Sequence, residues 1–251
     1  MAHPKGALYR PWLGSSPTFW GRVMDIVVAG GTGLVGKELL RQLTSRPGHR
    51  VTALVRRPGA LAPFTEVREY PFAYDEPLAY QALELGTLPC DVLLIALGTT
   101  IREAGSQAAF RKVDLDYPLK LASAAAACNP KLIIGVVSSV GAARPRGFYL
   151  RTKHEMEQGL TALGVACVIA RPSLLLGDRP ERRLGEHLAS KILPPLLNAV
   201  GRMGLAAKLT QYRPITASQV ATALIREAVL KSPCGTVVIE GDEFYADRSA
   251  V

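Results

Sequence analysis

The stretch MDIVVAGGTGLVGKELLRQL, residues 24–43, decides the fold. It begins with a short apolar run, turns on closely spaced glycines and continues with apolar residues at helical spacing. A strand that passes through such a turn directly into a helix is typical of the opening of a βαβ unit. The sequence therefore predicts a strand over residues 24–29 and a helix over residues 34–45.

The glycines of this turn each have a distinct role. Gly30 allows the tight turn, Gly33 lets the backbone approach a ligand without a Cβ in the way, and Gly36 lets the helix pack closely on the strand. A pyrophosphate can then lie on the N–H groups at the positive end of the helix. The loop therefore predicts dinucleotide binding, and the alternative is a glycine-rich turn without a ligand.

Strands and helices alternate along the rest of the chain. Further strands are predicted at residues 50–55, 66–70, 91–97, 132–138, 165–170 and 236–240, and further helices at 76–85, 110–128, 148–163, 184–200 and 218–230. Near-continuous apolar strands separated by helices indicate a parallel sheet that is covered on both faces. The predicted fold class is α/β, a doubly wound parallel sheet (Rossmann fold) with a small C-terminal substrate-side lobe.

The predicted domain organisation has two parts. Residues 24–251 form the NAD(P)-binding Rossmann domain, in which residues 172–216 are the substrate-side lobe because the strand–helix rhythm changes there. Residues 1–23, rich in proline, glycine and tryptophan, are expected to be a loosely ordered N-terminal extension. Two alternatives stay open for the extension: Met24 is the true start, or the aromatic residues pack on a partner.

Composition argues against several classes of protein. No apolar run reaches the roughly 18 residues that a membrane helix needs. The four cysteines are far apart and the four histidines show no metal spacing, so we expect reduced thiols in a cytoplasmic protein and no metal site. The formal net charge is +9, but the basic residues are dispersed, which favours an anionic dinucleotide over nucleic acid.

The residues after the second predicted strand bear on the choice of cofactor. Proteins that bind NAD commonly carry an acidic residue there for the ribose hydroxyl. This chain has Arg56 and Arg57 instead. Because a guanidinium can form a bidentate pair with a 2′-phosphate, the pair predicts NADP(H), with NAD(H) less favoured. The alternative is a solvated pair of surface arginines.

Several residues at the predicted carboxyl edge of the sheet are placed to contact a ligand or to carry chemistry. They are Leu97, Gly98 and Thr99 after the fourth strand and Ser138 and Ser139 after the fifth. Tyr149 and Lys153 follow, four residues apart on one helix face. An ammonium beside a phenol favours the phenolate, so the pair can exchange a proton, and a serine hydroxyl can bind the reacting oxygen.

Together, the glycine loop, the serine pair and the Tyr149/Lys153 pair resemble the short-chain dehydrogenase/reductase superfamily over residues 24–240. The stretches LGTTIREAGSQAAFRKVDLDYP (97–118), FYLRTKHEMEQ (148–158) and RPSLLLGDRPERR (171–183) are similar to its atypical branch, which includes the Tat-interacting-protein oxidoreductases and their bacterial relatives. The resemblance implies hydride transfer to or from a carbonyl or alcohol. Two alternatives stay open: a non-catalytic NADP(H)-sensing or protein-interaction module, and a nucleotide-sugar epimerase or dehydratase.

The resemblance also implies roles for single residues. Tyr149 and Lys153 would be the catalytic pair, with Ser139 as the first choice for a third member and Ser138 as the second. The cofactor would be held by the catalytic pair and by Gly30, Thr32, Gly33, Leu34, Val35, Gly36, Lys37, Arg56, Arg57, Leu97, Gly98, Thr99, Leu175 and Arg183. The substrate would be a small molecule. A homodimer is a further expectation, because superfamily members often dimerise through the helices after the fourth and fifth strands.

One position departs from the superfamily pattern. Members of known activity often carry an asparagine in the helix after the fourth strand, where this sequence has Asp114. Asp114 could replace that asparagine in holding a water molecule or the backbone, or it could merely face solvent on a first helical turn.

Overall fold

The computed structural model describes residues 23–46, 48–176 and 214–246. Residues 1–22, the helix predicted at residues 184–200, Arg183 and most of the predicted lobe lie outside these ranges. Their predicted organisation stays a prediction.

Strands and helices alternate in the described residues. The strands are β1 (Asp25–Ala29), β2 (Arg50–Val55), β3 (Arg68–Pro71), β4 (Val92–Ile95), β5 (Ile133–Val137), β6 (Ala166–Ala170), β7 (Leu175–Leu176), β8 (Ile215–Thr216) and β9 (Thr236–Ile239). The α-helices are α1 (Leu34–Thr44), α2 (Gln81–Glu84), α3 (Ile101–Ala104), α4 (Gln107–Arg111), α5 (Tyr117–Cys128), α6 (Gly147–Thr161) and α7 (Ala217–Ile225). Short 3-10 helices at Pro77–Tyr80 and Gly241–Tyr245 and π-helical turns at Lys112–Asp116 and Arg226–Leu230 complete the set.

Seven strands form one parallel sheet in the order β3-β2-β1-β4-β5-β6-β9. The strand order reverses between β1 and β4, and the crevice at such a reversal is where doubly wound folds bind ligands. The predicted fold class is thereby confirmed, and the strand predicted at residues 236–240 corresponds to β9, at one edge of the sheet. No helix of the described residues is long and apolar enough to cross a membrane.

Both faces of the sheet are covered by apolar packing. In β1, Ile26 and Val28 belong to the core on the side of α1 and α7, whereas Val27 and Ala29 belong to the core on the side of α5 and α6. Successive strand residues point to opposite faces, so a strand that is buried on both sides must be apolar throughout. This is why β4, β5 and β6 are recognisable in the sequence as apolar runs.

The helix after β4 differs from the prediction. A single helix over residues 110–128 is expected from the alanine-rich pattern, but α4 passes into the π-helical turn Lys112–Asp116 before α5 begins, and the N–H of Tyr117 bonds to the carbonyl of Lys112. Pro118 has no N–H to donate to the carbonyl of Asp114, which removes one α-helical bond at this point. The segment predicted as one helix over residues 76–85 is likewise divided, into a 3-10 helix and α2.

Two short strands mark the base of the predicted lobe. In β7 and β8, Leu175 pairs with Ile215 and Leu176 pairs with Thr216, in parallel. The pairing joins residues that are forty positions apart and places β8 directly before α7.

Candidate functional site

The glycine loop connects β1 to α1 in a conformation that only glycine tolerates easily. Gly30 has φ of +88°, and a Cβ at this position would lie 2.5 Å from the carbonyl oxygen of Ala96. The N–H of Gly33 donates to the carbonyl of Gly30 at 3.0 Å. A Cβ on Gly36 would lie 2.0 Å from that same carbonyl oxygen. The loop and the first turn of α1 are therefore packed backbone against backbone.

The first turn of α1 is suited to an anion. Gly33 caps the helix without any side-chain hydrogen bond, and the first turn holds no acidic residue. Helix N-termini carry partial positive charge and unsatisfied N–H groups, which a phosphate can satisfy. The absence of a Cβ on Gly33 keeps the approach to these groups clear. The loop therefore fits the pyrophosphate of a dinucleotide.

A cleft of about 430 Å³ opens beside this loop, at the reversal of strand order. Part of its wall consists of residues that the sequence predicts to contact a cofactor. These are Gly30, Thr32, Gly33, Arg56, Leu97, Gly98 and Thr99. The structure thus brings the glycine loop, the residue after β2 and the residues after β4 to one place.

Other described residues that are predicted to hold the cofactor do not line this cleft. They are Leu34, Val35, Gly36, Lys37, Arg57, Tyr149, Lys153 and Leu175. Leu34 and Leu175 pack against the core, Val35 and Gly36 are buried, and Lys37 and Arg57 are exposed.

Sequence reasoning missed half of the cleft wall. The missed residues are Leu54, Val55, Tyr74, Ala96, Glu103, Val113 and Tyr117. Tyr74 follows β3 and Tyr117 begins the helix that follows β4, so both stand where the carboxyl ends of parallel strands meet. An aromatic residue soon after a weak edge strand is the signal that could have found Tyr74.

The two missed tyrosines form one wall of the cleft, with ring centroids 5.1 Å apart. Burial raises the pKa of Tyr74, whose hydroxyl has no hydrogen-bond partner among the described residues. Burial, reinforced by a hydrogen bond of 2.6 Å to Asp75, raises the pKa of Tyr117 to about 12. Both phenols are therefore protonated at neutral pH.

Lys153 is held by a carboxylate that also bonds to a residue of the cleft wall. Its Nζ lies 2.7 Å from Oδ1 of Asp114, and Oδ2 of Asp114 accepts the N–H of Thr99 at 2.9 Å. Lys153 is 4% exposed and Asp114 is 1% exposed. Because Thr99 lines the cleft, this bridge places the lysine next to it.

Tyr149 lies on α6, one turn before Lys153, and is 40% exposed. Its ring centroid is 5.7 Å from that of Phe110, which is fully buried at the end of α4. The ring of Tyr149 is therefore held by an aromatic contact, and part of its side chain is accessible from solvent.

Ser139 is half-buried, and its Oγ is 3.4 Å from the carbonyl oxygen of Val140.

Ser138, the second choice for the catalytic serine, is buried and donates a hydrogen bond to Glu157. Glu157 pairs with Arg171 at 2.6 Å, and Arg171 pairs with Glu240 at 2.8 Å. The hydrogen bonds that Arg171 donates to Glu157 hold the pKa of Arg171 above its usual range. This polar network joins β5, α6 and the residues after β6 and β9, so the Ser138 hydroxyl is occupied in supporting the sheet edge.

Replacing Arg171 by methionine tests this network. The substitution leaves the buried Glu157 without its ionic partner, and stranding a buried charge costs about 3–5 kcal/mol of unfolding free energy. Arg111→Met is the matched control, because the Arg111–Glu155 pair is equally short, at 2.7 Å, but exposed. An exposed pair contributes at most about 1 kcal/mol. Urea unfolding of both variants measures the difference, and equal losses would contradict a supporting role for Arg171.

The comparisons with known proteins agree with this geometry. Residues 30–192 match the sequence profile of a family described as NAD(P)H-binding. The chain is 34% identical to the protein FMP52, mitochondrial, of Candida albicans over 174 residues, which are 67% of this chain and 75% of that protein. It is also 34% identical to the protein HTATIP2 of Rattus norvegicus over 179 residues, 68% of this chain and 71% of that protein.

Solved structures share the fold. A short-chain type dehydrogenase/reductase from Mycobacterium ulcerans superposes with a TM-score of 0.65 at 17% identity, covering 89% of this chain and 90% of that one. The relatives also correct one expectation. The names of the fungal FMP52 proteins include the word mitochondrial, which overturns the prediction of a cytoplasmic protein.

Proposed function

This chain belongs to the NAD(P)H-binding family as an atypical short-chain-dehydrogenase-like Rossmann protein, and from this premise we propose that it is an NADP(H)-dependent oxidoreductase that interconverts a carbonyl and an alcohol. One observation carries the proposal. The cleft beside the open glycine loop is joined through Thr99 and Asp114 to Lys153, one helical turn from the accessible phenol of Tyr149. In this proposal, a dinucleotide in the cleft would lie near the pair that exchanges the proton.

Each residue of the pair has a chemical role in this proposal. When bound, the nicotinamide would supply or accept the hydride. Tyr149 gives its proton to the carbonyl oxygen in reduction and takes it back in oxidation, as a general acid or base. Lys153 holds the ribose of the cofactor through its ammonium group. Ser139, rather than the occupied Ser138, orients the substrate oxygen.

Cofactor binding and turnover together test the proposal. Fluorescence titration of the purified protein with NADPH is expected to show saturable binding, and a panel of small carbonyl compounds and quinones is expected to contain a substrate that oxidises the bound NADPH. Tight binding without turnover would support the non-catalytic NADP(H)-sensing alternative. Conversion of a nucleotide sugar without net consumption of NADPH would support the epimerase alternative. Absence of binding at millimolar nucleotide would contradict every version.

The preference for NADP(H) depends on Arg56. It directly follows β2 and lines the cleft, and no acidic residue occupies this position to bind a ribose hydroxyl. A guanidinium at the end of β2 can meet the 2′-phosphate with two parallel hydrogen bonds.

Arg56→Ala is therefore expected to weaken NADPH binding by roughly ten- to a hundredfold, because a hydrogen bond to a charged group contributes about 1.5–3 kcal/mol. NADH, which lacks the 2′-phosphate, should be affected much less. Arg57→Ala is the matched control, since Arg57 is exposed and does not line the described cleft. Titration of the two variants with NADPH and NADH measures the affinity of each variant for each nucleotide. Equal weakening of NADPH and NADH by Arg56→Ala would refute the assignment.

A further inference from the structure

We infer that Asp114 is a positioning residue, whose carboxylate fixes the Lys153 ammonium against the cofactor-lining backbone of Thr99. The inference rests on the proposed function, because it gives Lys153 a role at the cofactor. It goes beyond that function in naming the residue that holds the lysine in place and in explaining why a carboxylate is required there.

The chemistry of the two partners carries the inference. Lys153 and the N–H of Thr99 are both donors, and each meets a different oxygen of Asp114, at 2.7 Å and 2.9 Å. A carboxylate presents two acceptor oxygens and no donor. An asparagine presents one oxygen and one NH₂ group, so it would leave a donor facing a donor at one of the two contacts. Asp114 is therefore not an equivalent replacement for the asparagine common in the superfamily.

Burial makes this bridge rigid. Asp114 is 1% exposed and Lys153 is 4% exposed, and a buried charge without its partner is costly. Within the π-helical turn Lys112–Asp116, Asp114 and its neighbour Leu115 are both buried, whereas Asp116 is exposed. The lysine therefore has one favourable position, next to the residue after β4 that lines the cleft.

A double-mutant cycle in NADPH affinity tests whether Asp114 acts through Lys153. Asp114→Asn and Lys153→Met are each expected to raise the Kd by on the order of tenfold, since the first frees the ammonium that would bind the cofactor and the second removes it. The double variant should bind no more weakly than Lys153→Met alone, because Asp114 has nothing left to position. Asp116→Asn, in the same turn, is the matched control and should leave the Kd unchanged. Full additivity of the two losses would overturn the inference.

A second measurement does not depend on the cofactor. An amine-reactive ester, followed by peptide mass spectrometry, reports the accessibility of Lys153 in the cofactor-free protein. Asp114→Asn should raise labelling of Lys153 several-fold relative to wild type and to Asp116→Asn, and unchanged labelling would overturn the inference. A wild type that binds no NADPH would refute the proposed function, and the labelling would still decide whether Asp114 holds the lysine.

The stability of the variants distinguishes a paired role of Asp114 and Lys153 from an effect of Asp114 on the fold alone. If Asp114→Asn unfolds because it strands the buried ammonium, the uncharged combination of Asp114→Asn with Lys153→Met should recover much of the lost stability. Recovery in urea unfolding supports a paired role. A combination as unstable as the single variant would show that Asp114 acts on the fold alone.

Discussion

Gly36→Ala is expected to abolish cofactor binding and to lower the free energy of unfolding by about 3 kcal/mol, at the upper end of the cost of overpacking. In most helices alanine would stabilise by roughly 0.5–1 kcal/mol relative to glycine. Here the added Cβ would lie 2.0 Å from the carbonyl oxygen of Gly30. That atom belongs to the backbone of a turn that is itself fixed against Ala96, so α1 must shift away from the loop. The shift moves the first-turn N–H groups from the pyrophosphate site.

Gly159→Ala is the matched control for this substitution. Gly159 is also a helical glycine, in α6, and its added Cβ would lie 2.6 Å from a methyl carbon of Leu119. The end of a leucine side chain can change rotamer, so the gain in helix propensity largely offsets the cost. Urea unfolding and NADPH titration of both variants are the measurements. Wild-type affinity in Gly36→Ala would show that the loop does not hold the cofactor.

Tyr149→Phe is expected to reduce turnover by roughly 10²–10⁴-fold, the usual contribution of a positioned general acid or base. Affinity for NADPH and stability should stay close to wild type. Phenylalanine preserves the ring contact with Phe110, and the phenol is exposed, so its removal strands no buried group. The variant therefore separates proton exchange from cofactor binding.

Steady-state kinetics with the best substrate of the carbonyl panel measures this effect, with Tyr70→Phe as the control. Tyr70 is a half-buried tyrosine of β3, which forms one edge strand of the sheet, whereas β9 forms the other. Its loss should leave turnover within a few-fold of wild type. Wild-type turnover in Tyr149→Phe would show that Tyr149 takes no part in the mechanism. It would not contradict the proposal that the protein binds NADP(H).

The fold could be predicted largely from local patterns. β2 begins and ends at the predicted residues, because the strand is buried from Val51 to Val55 and all but one of these residues are apolar. The glycine loop could also be predicted, because a side chain on Gly36 would meet the backbone of Gly30, six residues earlier. Both patterns can be recognised within a short stretch of sequence.

The missed parts of the site depend on contacts between distant segments. The Asp114 bridge joins residues from three separate segments of the chain, and the sequence alone does not show which donors the carboxylate meets. Tyr74 and Tyr117 become neighbours only when β3 and the helix after β4 reach the same edge of the sheet. Ser138 and Ser139 are indistinguishable in sequence, and only the position of Glu157 separates them.

The parallel pairing of β7 with β8 has a consequence for how this scaffold can be diversified. It brings Leu175 and Ile215, forty positions apart in the chain, side by side. Because the entropic cost of a closed loop grows only slowly with its length, shorter or longer segments between these two strands are expected to cost the core little stability.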